Sequence, residues 1–466
     1  MSQAKLNKLA ELCGQIDQNV PARKRLATLF DADSFVELDA FMMADDENAG
    51  VVAGYGLIEG GIVYAYSQDV TINNGAVNKA HAKKVKKVYE LAAKTGCPVV
   101  CIFDSNGAKL DEANMMLSAY SKMLMWSNNL SGVVPQISVV LGTCAGASAM
   151  LASSADFVVM SKKAELFMTA PFITKANGDK TEGAGSAENA ALAGVASIVC
   201  DDDDACLNEV RKLVSMLPAN NLSAVPLFDF AENTVAIDPE GCPKLMVEAI
   251  ADANSVLELN KDYAKGAFTM FATMAGITTA FVATSRKNPL DSDACEKIAR
   301  FVKVCDAFNI PVITLVNTSG FEITADLSIV KKSAQLASAY AEATTAKISV
   351  ITGKAYGPAY LALGSKNANA DVTIAWPQAE ISALAPATAV EFLWADRFKG
   401  TDNLEATRTA LVEEYVDTVA SPFEAAKGGY IESVIAPETT RAILIKMLDM
   451  LASKRESTLP KKHKTI

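Results

Sequence analysis

The sequence predicts an α/β protein built from two consecutive copies of one architecture. Continuous apolar strands alternate with helical segments, and this pattern is typical of parallel strands that are covered by helices on both faces. The same order of hairpin, helix, strand, helix and strand also occurs twice along the 466 residues. A repeat of this length indicates two similar domains rather than one large one.

Each copy begins with a hairpin and a helix. Residues 35–69 and 256–284 both run from a strand-like start through a turn marked by glycine. Helical stretches with lysine at their exposed positions follow at residues 79–94 and 295–307. A helix after an antiparallel hairpin covers one face of the sheet and leads into the next strand.

Two apolar strands complete each copy. Strands are predicted from Pro98 and from Pro311, and each ends in Ser or Thr followed by Gly. After another helical stretch, further strands are predicted from Ile137 and from Ile348. The continuous apolar character of all four predicts strands at the centre of a parallel sheet.

The boundary between the copies is predicted in the polar, proline-containing stretch at residues 217–243, which has no clear periodicity. We therefore expect domains at residues 1–230 and 231–466.

Charge and composition exclude several functions. The chain has 43 Lys and Arg against 54 Asp and Glu, a formal net charge of −11, which disfavours a nucleic-acid partner. No apolar run approaches the ~18 residues that span a bilayer, and Met1–Leu12 is not followed by the apolar core of a signal sequence. We therefore expect a cytoplasmic protein.

Cysteine and histidine usage excludes further chemistry. The nine Cys are an odd number in apolar contexts, which predicts thiols rather than disulfides or zinc ligands. Of the two His, one lies in the basic C-terminal tail, which leaves His81. A metal site is therefore not expected, and proton transfer must come from another side chain or a bound cofactor. His81 is interpreted as a structural residue or as one that faces a bound anion. The lysines around it are interpreted either as the solvated face of a helix or as ligands of the phosphate groups of CoA.

Two strand-to-helix turns are the candidate chemical sites. They are Gly142–Ala147 and Gly353–Ala359, where an apolar strand ends in small residues and a helix begins. Free amide N–H groups at a helix start can stabilise an oxyanion, and small residues let a carbonyl group approach the backbone. Such turns also serve close packing, but equivalent turns in two copies favour the chemical interpretation.

The motifs resemble those of one enzyme family, the carboxyltransferase subunits of biotin-dependent acyl-CoA carboxylases and decarboxylases. In that family each half resembles a crotonase domain, so the resemblance implies two tandem crotonase-like domains. The most specific matching segments are Asp104-Ser105-Asn106-Gly107-Ala108, Cys144-Ala145-Gly146, Lys354-Ala355-Tyr356-Gly357 and Ala375-Trp376-Pro377-Gln378-Ala379-Glu380-Ile381.

The resemblance also implies a mechanism. One backbone oxyanion hole stabilises the enolate of the acyl-CoA thioester, and the other stabilises the ureido oxygen of biotin, whose N1 removes the α-proton. Transferred by motif, the first hole uses the amides of Gly146 and Ala147, and the second lies at Gly357 to Ala359. The residues implied to contact biotin or acyl-CoA are Ala145, Tyr356, Pro358, Leu361, Gly107 and Ala108.

One departure from the family pattern bears directly on the chemistry. The family has a second glycine after Gly357, where this chain has Pro358, which carries no N–H. Either the second hole lacks a donor, or Pro358 is only a helix-start residue whose N–H is not needed.

Three functions are compared. The first is carboxyl transfer with biotin supplied by a separate carrier protein, together with either a biotin carboxylase or a membrane decarboxylase subunit. The second is a biotin-independent hydratase or thioesterase, and the third is an acyl-CoA-binding scaffold. The resemblance to the family favours carboxyl transfer, and it implies a homo-oligomer such as a trimer of dimers. The acyl group stays open, although Leu361 is expected to favour a short chain, such as propionyl or methylmalonyl.

Overall fold

The computed structural model describes residues 3–44, 47–368 and 370–460, so His463 lies outside the described residues. Contacts divide the chain into two compact units, Met1–Ala224 and Val225–Ile466. This division falls a few residues before the expected boundary after residue 230.

The first unit is a mixed sheet with helices on its faces. Its strands are β1 (Val36–Glu37), β2 (Met43–Ala44), β3 (Glu47–Asn48), β4 (Val51–Ile58), β5 (Gly61–Gln68), β6 (Val99–Ser105), β7 (Gln136–Ala145), β8 (Phe157–Ser161), β9 (Glu165–Phe167) and β10 (Ile198–Cys200). Its helices are α1 (Gln3–Gly14), α2 (Pro21–Leu29), α3 (Lys79–Thr95), α4 (Asn114–Leu130), α5 (Ala147–Ser153), α6 (Pro171–Ala176), α7 (Ala187–Leu192) and α8 (Asp203–Met216).

The second unit repeats this order of main-sheet strands, whereas β2 and β3 of the first unit form a separate two-stranded sheet. Its strands are β11 (Leu257–Leu259), β12 (Ala267–Met274), β13 (Ile277–Thr284), β14 (Val312–Thr318), β15 (Lys347–Tyr356), β16 (Val372–Ala375), β17 (Glu380–Ser382) and β18 (Ser433–Val434). Its helices are α9 (Pro243–Ile250), α10 (Ser292–Ala307), α11 (Ser328–Glu342), α12 (Gly357–Leu363), α13 (Pro386–Leu393), α14 (Leu404–Thr418), α15 (Pro422–Lys427) and α16 (Thr440–Leu451).

Both main sheets have the same topology. The strand order is β1-β4-β5-β6-β7-β8-β10 in the first unit and β11-β12-β13-β14-β15-β16-β18 in the second. A short strand pairs with the end of the central strand in each: β9 with β7, and β17 with β15. The first three strands of each sheet are antiparallel, and the following ones are parallel. The predicted repeat and α/β class are confirmed.

The repeat extends to individual hydrogen bonds. Asp31 accepts the Gly60 N–H at 3.1 Å, and Asp252 accepts the Gly276 N–H at 2.8 Å, each closing a hairpin turn. Arg211 donates to Asp31, and this bond lowers the pKa of the carboxyl group. These contacts show that Asp31 and Asp252 are equivalent positions of the two units.

Candidate functional site

The first strand-to-helix turn depends on a glycine. Strand β7 ends at Ala145, Gly146 has φ 62° and ψ −127°, and helix α5 begins at Ala147. A Cβ atom on Gly146 would meet nothing within 4 Å, but L side chains rarely adopt this backbone conformation. Glycine is therefore needed here for its dihedral angles rather than for space.

The amide groups of this turn differ from the expectation. The Gly146 N–H donates to the Phe167 carbonyl at 2.9 Å, so it extends the pairing of β7 with β9 and is not free for an oxyanion. Ala147 is half-buried, and as the first residue of α5 its N–H has no acceptor within the helix. The next residue, Ser148, is buried. The first turn therefore presents the Ala147 N–H.

Gly107 lies beside this turn. Its φ of 104° is in the region that favours glycine, and a Cβ atom there would lie 3.4 Å from the Ala145 carbonyl oxygen. The Gly107 N–H donates to Ser105 Oγ at 3.1 Å, while Ala108 pairs with Val77 in a β-bridge. Gly107 therefore borders the first turn, but its own N–H is already used.

The second turn has the same backbone design. Gly357 follows the last residue of β15 and has φ 48°, as Gly146 follows β7 with φ 62°. Pro358 therefore occupies the place of Ala147, the first regular helical position after a left-handed glycine. The structure thus puts proline where the first unit presents its free amide.

Pro358 is the last exposed residue of the second turn. Gly357 is half-buried and Pro358 is exposed, whereas Ala359 has 0% of its surface exposed. The structure does not bring the Ala359 N–H, the expected second donor, to the surface. Its counterpart Ser148 is buried in the same way, so the burial reflects the position rather than the side chain.

The side chain of Tyr356 is held by a neighbouring strand. Its hydroxyl donates to the Glu380 carboxylate on β17, which ties β15 to its short neighbour. Burial and this bond to Glu380 raise the pKa of Tyr356 far above its usual range. Tyr356 therefore holds the strand beneath the turn and does not line the cavity described next.

A cavity of about 670 Å³ adjoins the second turn. Gly357, Pro358 and Leu361 form one side of it, and Leu361 is 58% exposed. The remaining lining residues come from α12, from β17 and the loop after it, and from α14, α15 and the segments that follow these two helices: Tyr360, Ile381, Ser382, Ala383, Tyr415, Val419, Glu424, Ala425 and Tyr430. Sequence reasoning missed Tyr415 and Tyr430 because they lie far along the chain, outside any motif.

The carboxyl transferase domain family matches residues 19–466 of this chain. The chain belongs to that family. The expected family is thereby confirmed, and so is its reaction type, biotin-dependent carboxyl transfer on an acyl-CoA.

Curated relatives and a solved structure agree with this membership. The carboxyltransferase chain is 37% identical to the methylmalonyl-CoA decarboxylase subunit alpha of Propionigenium modestum, over 96% of this chain and 92% of the relative. It is 37% identical to the propionyl-CoA carboxylase beta chain of Saccharopolyspora erythraea, over 96% and 90%. The solved transcarboxylase 12S, a hexamer with methylmalonyl-CoA and methylmalonic acid bound, has a TM-score of 0.92 at 33% identity, covering 100% and 98%. This match confirms the expected crotonase-like architecture.

His81 and Lys84, two basic residues considered as anion ligands, lie in the interior of the first unit. His81 is 1% exposed, with Gln68 Nε2 at 3.3 Å from its Nε2, and Lys84 is 3% exposed, with Glu37 at 3.5 Å. Lys84 is therefore not on a solvated helix face, and its Nζ lies next to the Glu37 carboxylate. Burial first, and then Lys84, lower the pKa of His81 to about 3, so His81 is a neutral structural residue at neutral pH.

The buried His81 predicts an acid sensitivity of folding. The unfolded chain takes up a proton at His81 below pH 6.5, whereas the native chain does not until about pH 3, so stability falls as the pH falls through this window. Between pH 7 and pH 5 the native state should lose about 2 kcal/mol from this group. Urea denaturation of the native protein and His81→Gln at both pH values measures the difference. Equal losses in the two proteins would contradict it.

Within the described ranges, no helix is both long enough and apolar enough to cross a membrane. The same residues contain no group of three or more His, Cys, Asp or Glu side chains arranged to hold a metal ion.

Proposed function

We propose that this carboxyltransferase moves a carboxyl group between biotin, held on a separate carrier protein, and a short acyl-CoA. The pair we favour is methylmalonyl-CoA and propionyl-CoA. The observation that carries the proposal is the pair of equivalent strand-to-helix turns, one in each unit. One turn suits each of the two carbonyl groups that gain negative charge in such a transfer.

The first turn is assigned to the acyl-CoA. The N–H of the half-buried Ala147 would donate to the thioester oxygen, where charge grows as the enolate forms. The fixed backbone of Gly146, whose own amide is held by Phe167, keeps this donor in place before the substrate arrives. A donor that needs no reorganisation stabilises the transition state more than the ground state.

The second turn is assigned to biotin. The cavity beside it combines apolar side chains with the rings of Tyr415 and Tyr430, which suit a compact bicyclic ring with a polar edge. When bound, biotin accepts or releases the carboxyl group. The turn contributes less here than in the first unit, because Pro358 has no N–H and the Ala359 amide is buried.

Leu361 bears on the choice of acyl group. It projects from α12 one turn after Pro358 and is 58% exposed on the cavity side. Because this cavity is assigned to biotin, Leu361 would meet an acyl group that is held at the first turn of a facing chain. An apolar side chain there suits a short chain with a methyl branch rather than a polar or long one. The relatives named for methylmalonyl-CoA and propionyl-CoA support the same choice.

Carboxylation and decarboxylation use the same half-reaction in opposite directions, so the partner subunits determine the direction. We propose a biotin carboxyl carrier protein as one partner, with either a biotin carboxylase or a membrane decarboxylase subunit. The protein would then be cytoplasmic, and peripheral to the membrane in the second case.

The experiment that tests the function measures CO₂ release from methylmalonyl-CoA with and without biotin. We expect release only when biotin is present.

We also propose a homo-oligomer in which the first turn of one chain faces the second turn of another. Large apolar side chains are exposed near both turns. Near the first they are Met150, Met168, Phe172 and Ile173, and near the second they are Leu361, Leu384, Phe392, Leu393 and Phe423. Apolar surface of this kind marks an interaction site, and a second copy supplies the complementary turn.

The expected result is that the active species is a dimer or a multiple of it, such as a hexamer. Light scattering coupled to size exclusion measures the mass, and activity is assayed across the same fractions. Phe172→Asp places a charge on the 74% exposed Phe172 ring and should lower both the mass and the activity. Lys175→Asp, on the same short helix, is the matched control. Full activity in a monomeric fraction would contradict the proposal.

A further inference from the structure

The second unit contains another cavity, of about 360 Å³, which shares no lining residue with the one beside the second turn. Its lining contains Thr284, Asn317 and Thr352, from the carboxyl-terminal halves of three neighbouring parallel strands. Met246 of α9 also lines the cavity. The carboxyl ends of parallel strands are where α/β proteins place their ligand sites.

The first unit shows what normally fills this place. Asp104 donates its N–H to Gln68 Oε1 at 3.0 Å, and Asn317 donates its N–H to Thr284 Oγ1 at 2.8 Å. Asp104 and Asn317 are therefore equivalent residues of β6 and β14. In the first unit, Arg25 Nη1 lies 2.9 Å from Asp104 Oδ2, and this buried ion pair occupies the space.

Met246 stands where the first unit has Arg25. Arg211 donates to the Leu29 carbonyl at the end of α2, and its counterpart Arg441 donates to the Ile250 carbonyl at the end of α9. Arg25 and Met246 each lie four residues before that carbonyl. Met246 and Asn317 are both uncharged, so the second unit has no ion pair at this place, and both residues line the cavity instead.

The rim of this cavity is strongly cationic. It carries Lys261, Lys265, Arg286 and Lys287, against Glu240 as its one carboxylate. Glu240 is paired with Arg286, and none of the three lysines forms an ion pair with a carboxylate of the described residues. A cationic concavity in a chain of net charge −11 concentrates anions locally.

The other lining residues indicate which further groups a ligand of this cavity would carry. Met246, Phe268 and Leu315 give the cavity an apolar floor, while Ser285 places a hydroxyl at its edge. The volume of about 360 Å³ exceeds what a single small ion needs and lies in the range of small-molecule sites. Several separated ammonium groups match an anion that carries several charges.

We propose that this cavity binds a small molecule bearing a diphosphate or triphosphate group, with an apolar portion against Met246, Phe268 and Leu315. The lysines receive the phosphate oxygens, and the site is separate from both strand-to-helix turns.

Isothermal titration of the full protein with inorganic pyrophosphate, and then with ADP, tests the proposal. We expect both to bind, with ADP tighter because its nucleoside adds contact with the apolar floor. Lys265→Ala/Lys287→Ala should weaken pyrophosphate binding at least tenfold. The matched control Lys303→Ala/Lys446→Ala removes the same charge from exposed positions of this unit outside the cavity and should change binding less than twofold.

A second variant fills the cavity instead of changing its rim. Met246→Arg/Asn317→Asp rebuilds the ion pair of the first unit and should abolish pyrophosphate binding while circular dichroism shows an unchanged fold. No binding to the native protein, or equal binding after the Lys265 and Lys287 changes, would overturn the proposal. Pyrophosphate binding as tight as that of ADP would overturn the apolar part of it.

Discussion

Ala147→Pro is expected to lower the rate of biotin-dependent CO₂ release about a hundredfold. The substitution removes the N–H that begins helix α5 at the first turn, and one oxyanion donor is worth about 3 kcal/mol in the transition state. The fold should survive, because proline is favoured at the first helical position. Pro358 already occupies the equivalent place in the second unit of this chain.

Ala147→Ser is the matched control, since it changes the side chain and keeps the N–H. It should retain activity within a fewfold of the native protein, with circular dichroism and mass unchanged in both variants. If the proline variant also stays within a fewfold, the thioester oxygen takes its donor from elsewhere.

Pro358→Ala is expected to raise the rate of the biotin half-reaction, by up to about a hundredfold. It supplies an N–H at the place where Ala147 presents one, on a turn whose glycine already has the required positive φ. Loss of the rigidity of proline offsets part of this gain. The rate is measured at saturating acyl-CoA with varied biotin, so that changes at the second turn are separated from changes at the first.

Pro358→Gly is the companion variant, because it adds the same N–H with greater backbone freedom. A rate above that of the native protein in the alanine variant, and a smaller gain in the glycine variant, would indicate a missing donor. Equal or lower rates in both would show that Pro358 is only a helix-start residue.

The elements were predictable because their signals are local. Hairpins, buried strands and the lysine-bearing helices each have a pattern within a short window, and the repeat of the pattern predicted two similar units. One boundary was wrong for a physical reason: α10 begins at Ser292, before the predicted residue 295, because the Asp291 side chain accepts the Ala294 N–H and caps the helix.

The site was predictable only as far as its motifs extend. The use of the Gly146 N–H by Phe167 depends on strand pairing between distant residues, which no local pattern reveals. The burial of Lys84 against Glu37 likewise depends on how α3 packs. Tyr430 reaches the second turn from a segment that carries no motif.

The most direct test of the central claim is CO₂ release from methylmalonyl-CoA in the presence and absence of free biotin. We expect release that requires biotin, rises with the biotin concentration and is slower with carboxylated acyl-CoAs of longer chain. Release at the same rate without biotin would indicate a biotin-independent crotonase-like enzyme, and no release with either would indicate an acyl-CoA-binding scaffold. Either result would contradict carboxyl transfer through the two turns.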